Sequence, residues 1–190
     1  MKPLLIVFFS LTLTACTTQL SDYPESQPAF DLATYFNGPV TAWGILEDYQ
    51  SKVTRRFCVD IIGSWDGNTG TLDEAFYFDD GETDQRIWRL QKTAEGQYTG
   101  TAHDVVGTAK GSIRGSVFRW QYKLNVDVGD KTYQLFLDDW IYQIDEHRLF
   151  NRTKMKKFGI QVAELSIFFD KEAPVSRCRN TPLLPTAGLE

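Results

Sequence analysis

Charged side chains recur in stretches that otherwise alternate between apolar and polar residues. Glu74 lies two residues from both Leu72 and Phe76, and Arg86 lies two residues before Trp88. Because a strand places every second residue on the same face, this spacing predicts charges on the buried face of a sheet. A buried charge needs a partner, so we expect arginine side chains to meet aspartate or glutamate in the interior. The charged residues that share an apolar face in this way are Arg55, Glu74, Arg86, Asp138 and Glu164.

Two interpretations of these interior charges are open. In the first, Arg55 or Arg86 holds the carboxylate or phosphate headgroup of a ligand, with Glu74 and Asp138 beside them in an apolar cavity. Aromatic side chains line the rest of that cavity: Phe76, Trp88, Trp120, Tyr122 and Trp140. In the second, the charges close a network in a filled interior without a ligand, or the predicted inner and outer faces are inverted, and the protein is structural or binds other proteins.

An enzyme is a third hypothesis, which the sequence does not favour. General acid–base catalysis by Glu74 or Asp138 is its only plausible chemistry, since burial raises carboxyl pKa values. Ser64 directly follows Gly63, one position too early for the serine of the G-x-S-x-G nucleophile elbow of hydrolases. His103 and His147 are too far apart in the sequence to predict a zinc site. We expect no catalytic residues, no metal and no cofactor, and a net charge of −5 without a basic run makes nucleic acid an unfavourable partner.

The remaining pattern is that of short antiparallel strands. One face of an extended segment carries Phe118, Trp120, Tyr122, Leu124 and Val126. Asp-Gly and Asn-Gly pairs, such as Asp66-Gly67 and Asp80-Gly81, separate such segments and favour tight hairpins. We predict an all-β fold of about nine or ten strands, closed as an up-and-down barrel because closure removes exposed edges. A short helical segment near residues 31–35 is expected to cap one end.

The first residues have the features of a lipoprotein signal peptide. One lysine and a ten-residue apolar run precede Leu13-Thr14-Ala15-Cys16, which resembles the bacterial lipobox. The run is shorter than the about 20 residues that span a bilayer. The resemblance implies cleavage before Cys16 and lipid attachment to it, which anchors the protein to a membrane. An aspartate directly after the lipidated cysteine would retain such a protein at the inner membrane. Thr17 occupies that position here, which predicts that the protein lies on the periplasmic face of the outer membrane.

The chain contains three cysteines. Lipidation uses Cys16, and secreted cysteines commonly form disulfides, so we predict that Cys58 pairs with Cys178. Two free thiols are the alternative.

Composition predicts one domain between two less regular ends. Residues 1–15 are the removed signal peptide, and 16–29 form a lipidated tether broken by prolines. The barrel spans 30–171, and 172–190 form a loosely ordered, proline-containing tail. The oligomeric state is open.

The body of the chain resembles a family of proteobacterial lipoproteins. The matching pieces are Tyr35–Gly38, Ala42–Gly44, Arg55–Phe57, Asp80–Thr83 with Arg86 and Trp88, Asp104–Gly107, Asp138–Trp140 with Tyr142, Asn151-Arg152 and Lys157–Gly159. The resemblance implies a lipocalin-like barrel and an association with enzymes that modify membrane fatty acids such as palmitate. It therefore favours lipid binding, with a fatty acid or phospholipid as the ligand.

Overall fold

A computed structural model describes residues 17–26, 29–180 and 183 of this protein. The predicted signal peptide and Cys16 lie outside the described residues, and so do most of the residues after Asn180. Among the residues described, no helix is long and apolar enough to cross a membrane.

In the described part of the chain, ten antiparallel strands follow one another in simple up-and-down order, and the last strand pairs with the first to close the barrel. This confirms the predicted all-β barrel. The strands are β1 (Gly38–Asp48), β2 (Val53–Asp66), β3 (Thr69–Phe78), β4 (Thr83–Ala94), β5 (Gln97–Thr101), β6 (Val105–Arg114), β7 (Val117–Val128), β8 (Lys131–Gln143), β9 (Arg148–Lys157) and β10 (Ile160–Asp170).

Alternation of side chains between the two faces explains the core. On β7, Trp120, Tyr122 and Leu124 are buried and line the barrel interior, whereas Lys123 between them is exposed. Phe57, Val59 and Ile61 of β2 point inward in the same way. These are the faces that the sequence predicted, because both strands carry their large apolar residues at every second position.

A short helix, α1 (Leu32–Tyr35), and the residues beside it plug one end of the barrel. Asp31 caps the helix by accepting a hydrogen bond from Thr34 N at 2.7 Å. Phe36 follows in the core and packs edge-on against Phe169. The plug lies so close to β2 that a Cβ added at Gly63 would stand 1.8 Å from the Phe36 carbonyl oxygen. The predicted helical segment is therefore confirmed as the end cap.

The described part of the predicted tether packs on the outside of the barrel. The Tyr23 ring lies 5.7 Å from the Trp140 ring, measured between centroids. Arg114 holds this segment by donating to Tyr23 O at 2.6 Å and to Glu25 Oε1 at 2.9 Å. The N-terminal segment therefore covers part of the outer face of β8 rather than extending freely.

The C-terminal segment is fastened to the outer face of β2. A disulfide joins Cys58 to Cys178, which confirms the predicted pairing. Cys178 lies in a second short helix, α2 (Arg177–Asn180). Asp60 accepts hydrogen bonds from the backbone N–H groups of Cys178 and Arg179, each at 3.2 Å. Part of the tail that the sequence predicts to be loosely ordered is thus docked.

Candidate functional site

A cavity of about 230 Å³ lies inside the barrel. Most of its wall is apolar and aromatic, as in most small-molecule sites. The larger apolar side chains in the wall are Phe57, Phe76, Trp88, Trp120, Leu137 and Ile167. Polar side chains are few and lie on β3, β4 and β7–β9: Glu74, Arg86, Tyr122, Asp139, Asn151 and Thr153.

Arg86 of β4 is the one cation among the described residues that line the cavity. Its guanidinium is bound on two sides by acids. Nε and Nη2 donate to Asp104 Oδ2 at 2.9 and 2.7 Å, and Nη1 lies 3.9 Å from Glu74 Oε2 on the paired strand β3. Burial favours the neutral form, but Glu74 and Asp104 outweigh it and raise the pKa of Arg86, so the side chain keeps its charge.

Glu74 is a mostly buried carboxyl, with 14% of its side chain exposed, and it lies beside Arg86 and Trp88. Burial raises the pKa of Glu74 to about 7, although the positive charge of Arg86 acts in the opposite direction. Asp104 adds to the increase because it is a like charge that shares the same guanidinium. The sequence predicted that Arg86 meets Glu74 or Asp138, and the structure places Glu74 beside it; the sequence did not predict Asp104, which lies in the turn between β5 and β6.

Asp139 of β8 is the second buried carboxyl in the cavity wall. Burial raises the pKa of Asp139 to about 7, while hydrogen bonds from Thr153 and Tyr122 favour the charged form. Its Oδ1 atom is buried and has no hydrogen-bond partner among the described residues. Next to it, Asn151 Nδ2 donates to Thr153 Oγ1 at 3.1 Å, and Asn151 Oδ1 also lacks a partner.

The structure corrects the placement of two predicted site residues. Asp138 and Trp140 lie on the outer face of β8, because Leu137, Asp139 and Ile141 are the residues of this strand that line the cavity. Asp138 pairs with Arg119, and the Arg119 guanidinium carbon lies 4.7 Å from the centre of the Trp140 ring. Both residues are nevertheless buried, since Arg119 and the Tyr23 segment cover them from outside.

Two other charges predicted to lie inside are also placed elsewhere. Arg55 does not line the cavity; its guanidinium lies 3.6 Å from the centre of the Phe78 ring and pairs with Asp80 and Glu82 in the β3–β4 turn. Glu164 lies on the outer face of β10 and pairs with Arg152. A β-bulge between Gln161 and Ala163 shifts the register there, so Leu165, Ile167 and Phe169 point inward instead.

The predicted residues that the structure does bring together are Glu74, Phe76, Arg86, Trp88, Trp120 and Tyr122. Sequence reasoning missed Asp104, Asp139, Asn151 and Thr153. The sequence could have indicated Asp139. It lies two residues from both Leu137 and Ile141, just as Asp138 lies two residues from both Phe136 and Trp140. No group of three or more His, Cys, Asp or Glu side chains in residues 17–26, 29–180 and 183 is arranged to hold a metal ion.

A sequence model of one protein family matches residues 10–171, and the chain belongs to that family, which is described as "Protein of unknown function (DUF3833)". No curated protein matches the sequence. Among solved structures, the S-type phycobiliprotein lyase CPES from Guillardia theta is similar, with a TM-score of 0.55 and 7% identity. The match covers 75% of this chain and 92% of that one, so the similarity concerns the lipocalin-like barrel fold.

Proposed function

We propose that this protein binds a small hydrophobic molecule inside its barrel. The observation that carries the proposal is the cavity of about 230 Å³ with its largely apolar wall. Protein interiors are close-packed and have few voids larger than one water molecule, which occupies about 30 Å³. A cavity of this size therefore disfavours the filled, purely structural barrel.

The size of the cavity also narrows the ligand class. Sites for drug-sized molecules typically measure about 300–1,000 Å³, so this cavity is small. A single-chain lipid or a compact apolar molecule fits better than a phospholipid with two chains. The predicted headgroup site on Arg55 loses its support, because Arg55 does not line the cavity.

Native mass spectrometry tests ligand binding directly. The full chain carrying Cys16→Ser, which removes the predicted lipid attachment, is purified without detergent and analysed for bound small molecules. Leu165→Phe enlarges a side chain of the cavity wall and is expected to abolish the bound mass. Phe168→Leu, on the outer face of the same strand, is the matched control. A folded protein with no bound mass and no affinity for offered fatty acids, alcohols or amines would contradict ligand binding.

We also propose that Cys16 carries a lipid that anchors the barrel to the periplasmic face of the outer membrane. The lipobox-like sequence supports this proposal, and the Cys58–Cys178 disulfide is consistent with an oxidising compartment. Metabolic labelling with palmitate followed by membrane fractionation tests it. Labelled protein in the outer-membrane fraction, and unlabelled protein from the Cys16→Ser variant, is the expected result; an unlabelled wild-type protein would contradict it.

Catalysis on the bound molecule is the second candidate function. Glu74 and Asp139 both have pKa values of about 7, and a group with such a pKa transfers protons efficiently near neutral pH. The expectation that the protein is not an enzyme stays a prediction. Recovery of the ligand in chemically unchanged form after long incubation would support it.

A further inference from the structure

Two unpartnered oxygen atoms in the cavity wall define the chemistry of the ligand's polar group. Asp139 Oδ1 and Asn151 Oδ1 belong to residues that are only 6% and 3% exposed, and both residues line the cavity. They lie on the neighbouring strands β8 and β9, where Asp139 pairs with Thr153 and Ile141 pairs with Asn151. Buried polar atoms in native proteins are nearly always hydrogen-bonded, so these two oxygens need partners. Asn151 Oδ1 only accepts, and Asp139 Oδ1 accepts when the carboxyl is ionised, so a donor satisfies both.

The surroundings of Thr153 support the orientation of the Asn151 amide. Asn151 Nδ2 donates to Thr153 Oγ1 at 3.1 Å. Thr153 is paired with Asp139 across β8 and β9, and its single hydroxyl hydrogen is free to point towards that carboxyl because the oxygen already accepts from Asn151. The carbonyl oxygen of the amide is consequently the atom without a partner.

The charges around the cavity act against an anionic ligand. Arg86 donates from Nε and Nη2 to Asp104, and its Nη1 lies 3.9 Å from Glu74 Oε2, so two acids already share its positive charge. Three carboxyl groups, those of Glu74, Asp104 and Asp139, surround this single guanidinium. A further negative charge would add like-charge repulsion in a medium of low dielectric constant.

We propose that the ligand is a single-chain or compact apolar molecule whose neutral or cationic headgroup donates hydrogen bonds to Asp139 and Asn151. Alcohols, amides and amines belong to this class, whereas fatty acids do not. This inference rests on the proposed function and narrows it, since it specifies the polar end of a molecule whose apolar part the aromatic wall encloses.

Three probes with the same chain length test the inference: decylamine, decanol and decanoic acid. Their binding to the full chain carrying Cys16→Ser is measured by isothermal titration calorimetry at neutral pH and below the micellar concentration of each probe. We expect decylamine and decanol to bind at least about tenfold more tightly than decanoate, a ratio that calorimetry resolves readily.

Two variants connect this preference to the two oxygen atoms. Asn151→Leu replaces the amide by an apolar group of similar size and should weaken decanol and decylamine binding by about tenfold, with decanoate unaffected. Asp139→Asn removes a negative charge and should weaken decylamine more than decanol. Asp138→Asn is the matched control, because this neighbouring carboxyl lies outside the cavity; it should leave all three affinities unchanged. Circular dichroism establishes that each variant is folded.

The outcomes separate this inference from the proposed function. Tighter binding of decanoate than of the other probes would overturn the headgroup assignment and leave a ligand-binding barrel. If Asn151→Leu weakened the binding of all three probes equally, the headgroup assignment would also be overturned, because the residue would then only maintain the shape of the cavity. A folded wild-type protein that binds none of the probes would overturn the proposed function as well.

Discussion

Asp138 and Asp139 are consecutive, buried aspartates on one strand, and their surroundings shift their pKa values in opposite directions. Asp138 accepts two hydrogen bonds from Arg119, at 2.7 and 2.9 Å, and a third from Gln121. Burial alone raises the pKa of Asp138, but Arg119 reverses the effect and holds it below its ordinary value. Burial raises the pKa of Asp139 to about 7, and one of its oxygens has no partner.

The comparison extends to the two faces of the barrel. On the outer face, Asp138 has its own arginine, and the N-terminal segment packs beside the pair. On the inner side, Glu74 and Asp139 of the cavity wall and Asp104 of the β5–β6 turn surround a single arginine. Carboxyl groups that are similarly buried therefore have pKa values shifted in opposite directions, because fewer hydrogen-bond donors are available on the inner face. The outer pair is satisfied and structural, while the inner cluster retains acceptors for another molecule.

The largest expected effect comes from removing the inner cation. Arg86→Leu leaves Asp104 and Glu74 buried without a positive partner, and breaking a buried ion pair in this way costs about 3–5 kcal/mol. Urea denaturation measures the loss in the free energy of unfolding. If this loss were below that of the outer-face variant Arg119→Leu, the proposed contrast between the faces would be wrong.

Stability should decrease with rising pH because of the two inner carboxyls. The folded-state pKa values of Glu74 and Asp139 are raised to about 7, so their stabilising effect is full at acidic pH and is lost as the pH passes through 7. We expect unfolding free energy to fall by about 2–4 kcal/mol between about pH 5 and pH 8.

Asp139→Asn should reduce this pH dependence and make the protein more stable than wild type at alkaline pH. Asp138→Asn should instead lower stability and leave the slope intact, because the pKa of Asp138 is lowered and it stays ionised throughout this range. Chemical denaturation at several pH values provides the measurement. If the free energy of unfolding depended on pH equally steeply in wild type and in Asp139→Asn, Asp139 would have the same pKa in the folded and the unfolded state, and the prediction would be wrong.

A smaller effect is expected for the outer pair. Arg119→Leu also breaks a buried ion pair, but it leaves one acid rather than two without a cation, and Asp138 keeps the hydrogen bond from Gln121, so we expect a loss of about 2–3 kcal/mol in the free energy of unfolding. The affinity for decanol should not change, which isothermal titration calorimetry checks. A large change in that affinity would show that the outer face influences the cavity.

The smallest effect is expected at Arg55. Its partners Asp80 and Glu82 lie in an exposed turn, and exposed ion pairs contribute about 0–1 kcal/mol. Arg55→Ala should therefore change the unfolding free energy by about 0.5 kcal/mol and leave probe binding as in wild type. Loss of binding without loss of stability would restore the sequence-based prediction that Arg55 holds the headgroup.

Sequence alone predicted the strands, the closed barrel, the end cap and the Cys58–Cys178 pair. It also placed Glu74, Arg86, Trp88, Trp120 and Tyr122 in the interior, because on β3, β4 and β7 most of the large apolar residues occupy one face. On β8 and β10 both faces carry large apolar residues, so alternation could not select the inner one. The prediction was wrong there for Asp138, Trp140 and Glu164.

What the sequence by itself determined is the architecture, since a two-residue period and tight turns are local properties of the chain. Tertiary structure decided which face of β8 became the interior, because the N-terminal segment and Arg119 cover Trp140 from outside. It also brought Asp104 of the β5–β6 turn to Arg86 of β4 and left Asp139 and Asn151 with unpartnered oxygens. Such contacts join side chains that are distant in the sequence, and they depend on how far apart the strands lie once the barrel has closed.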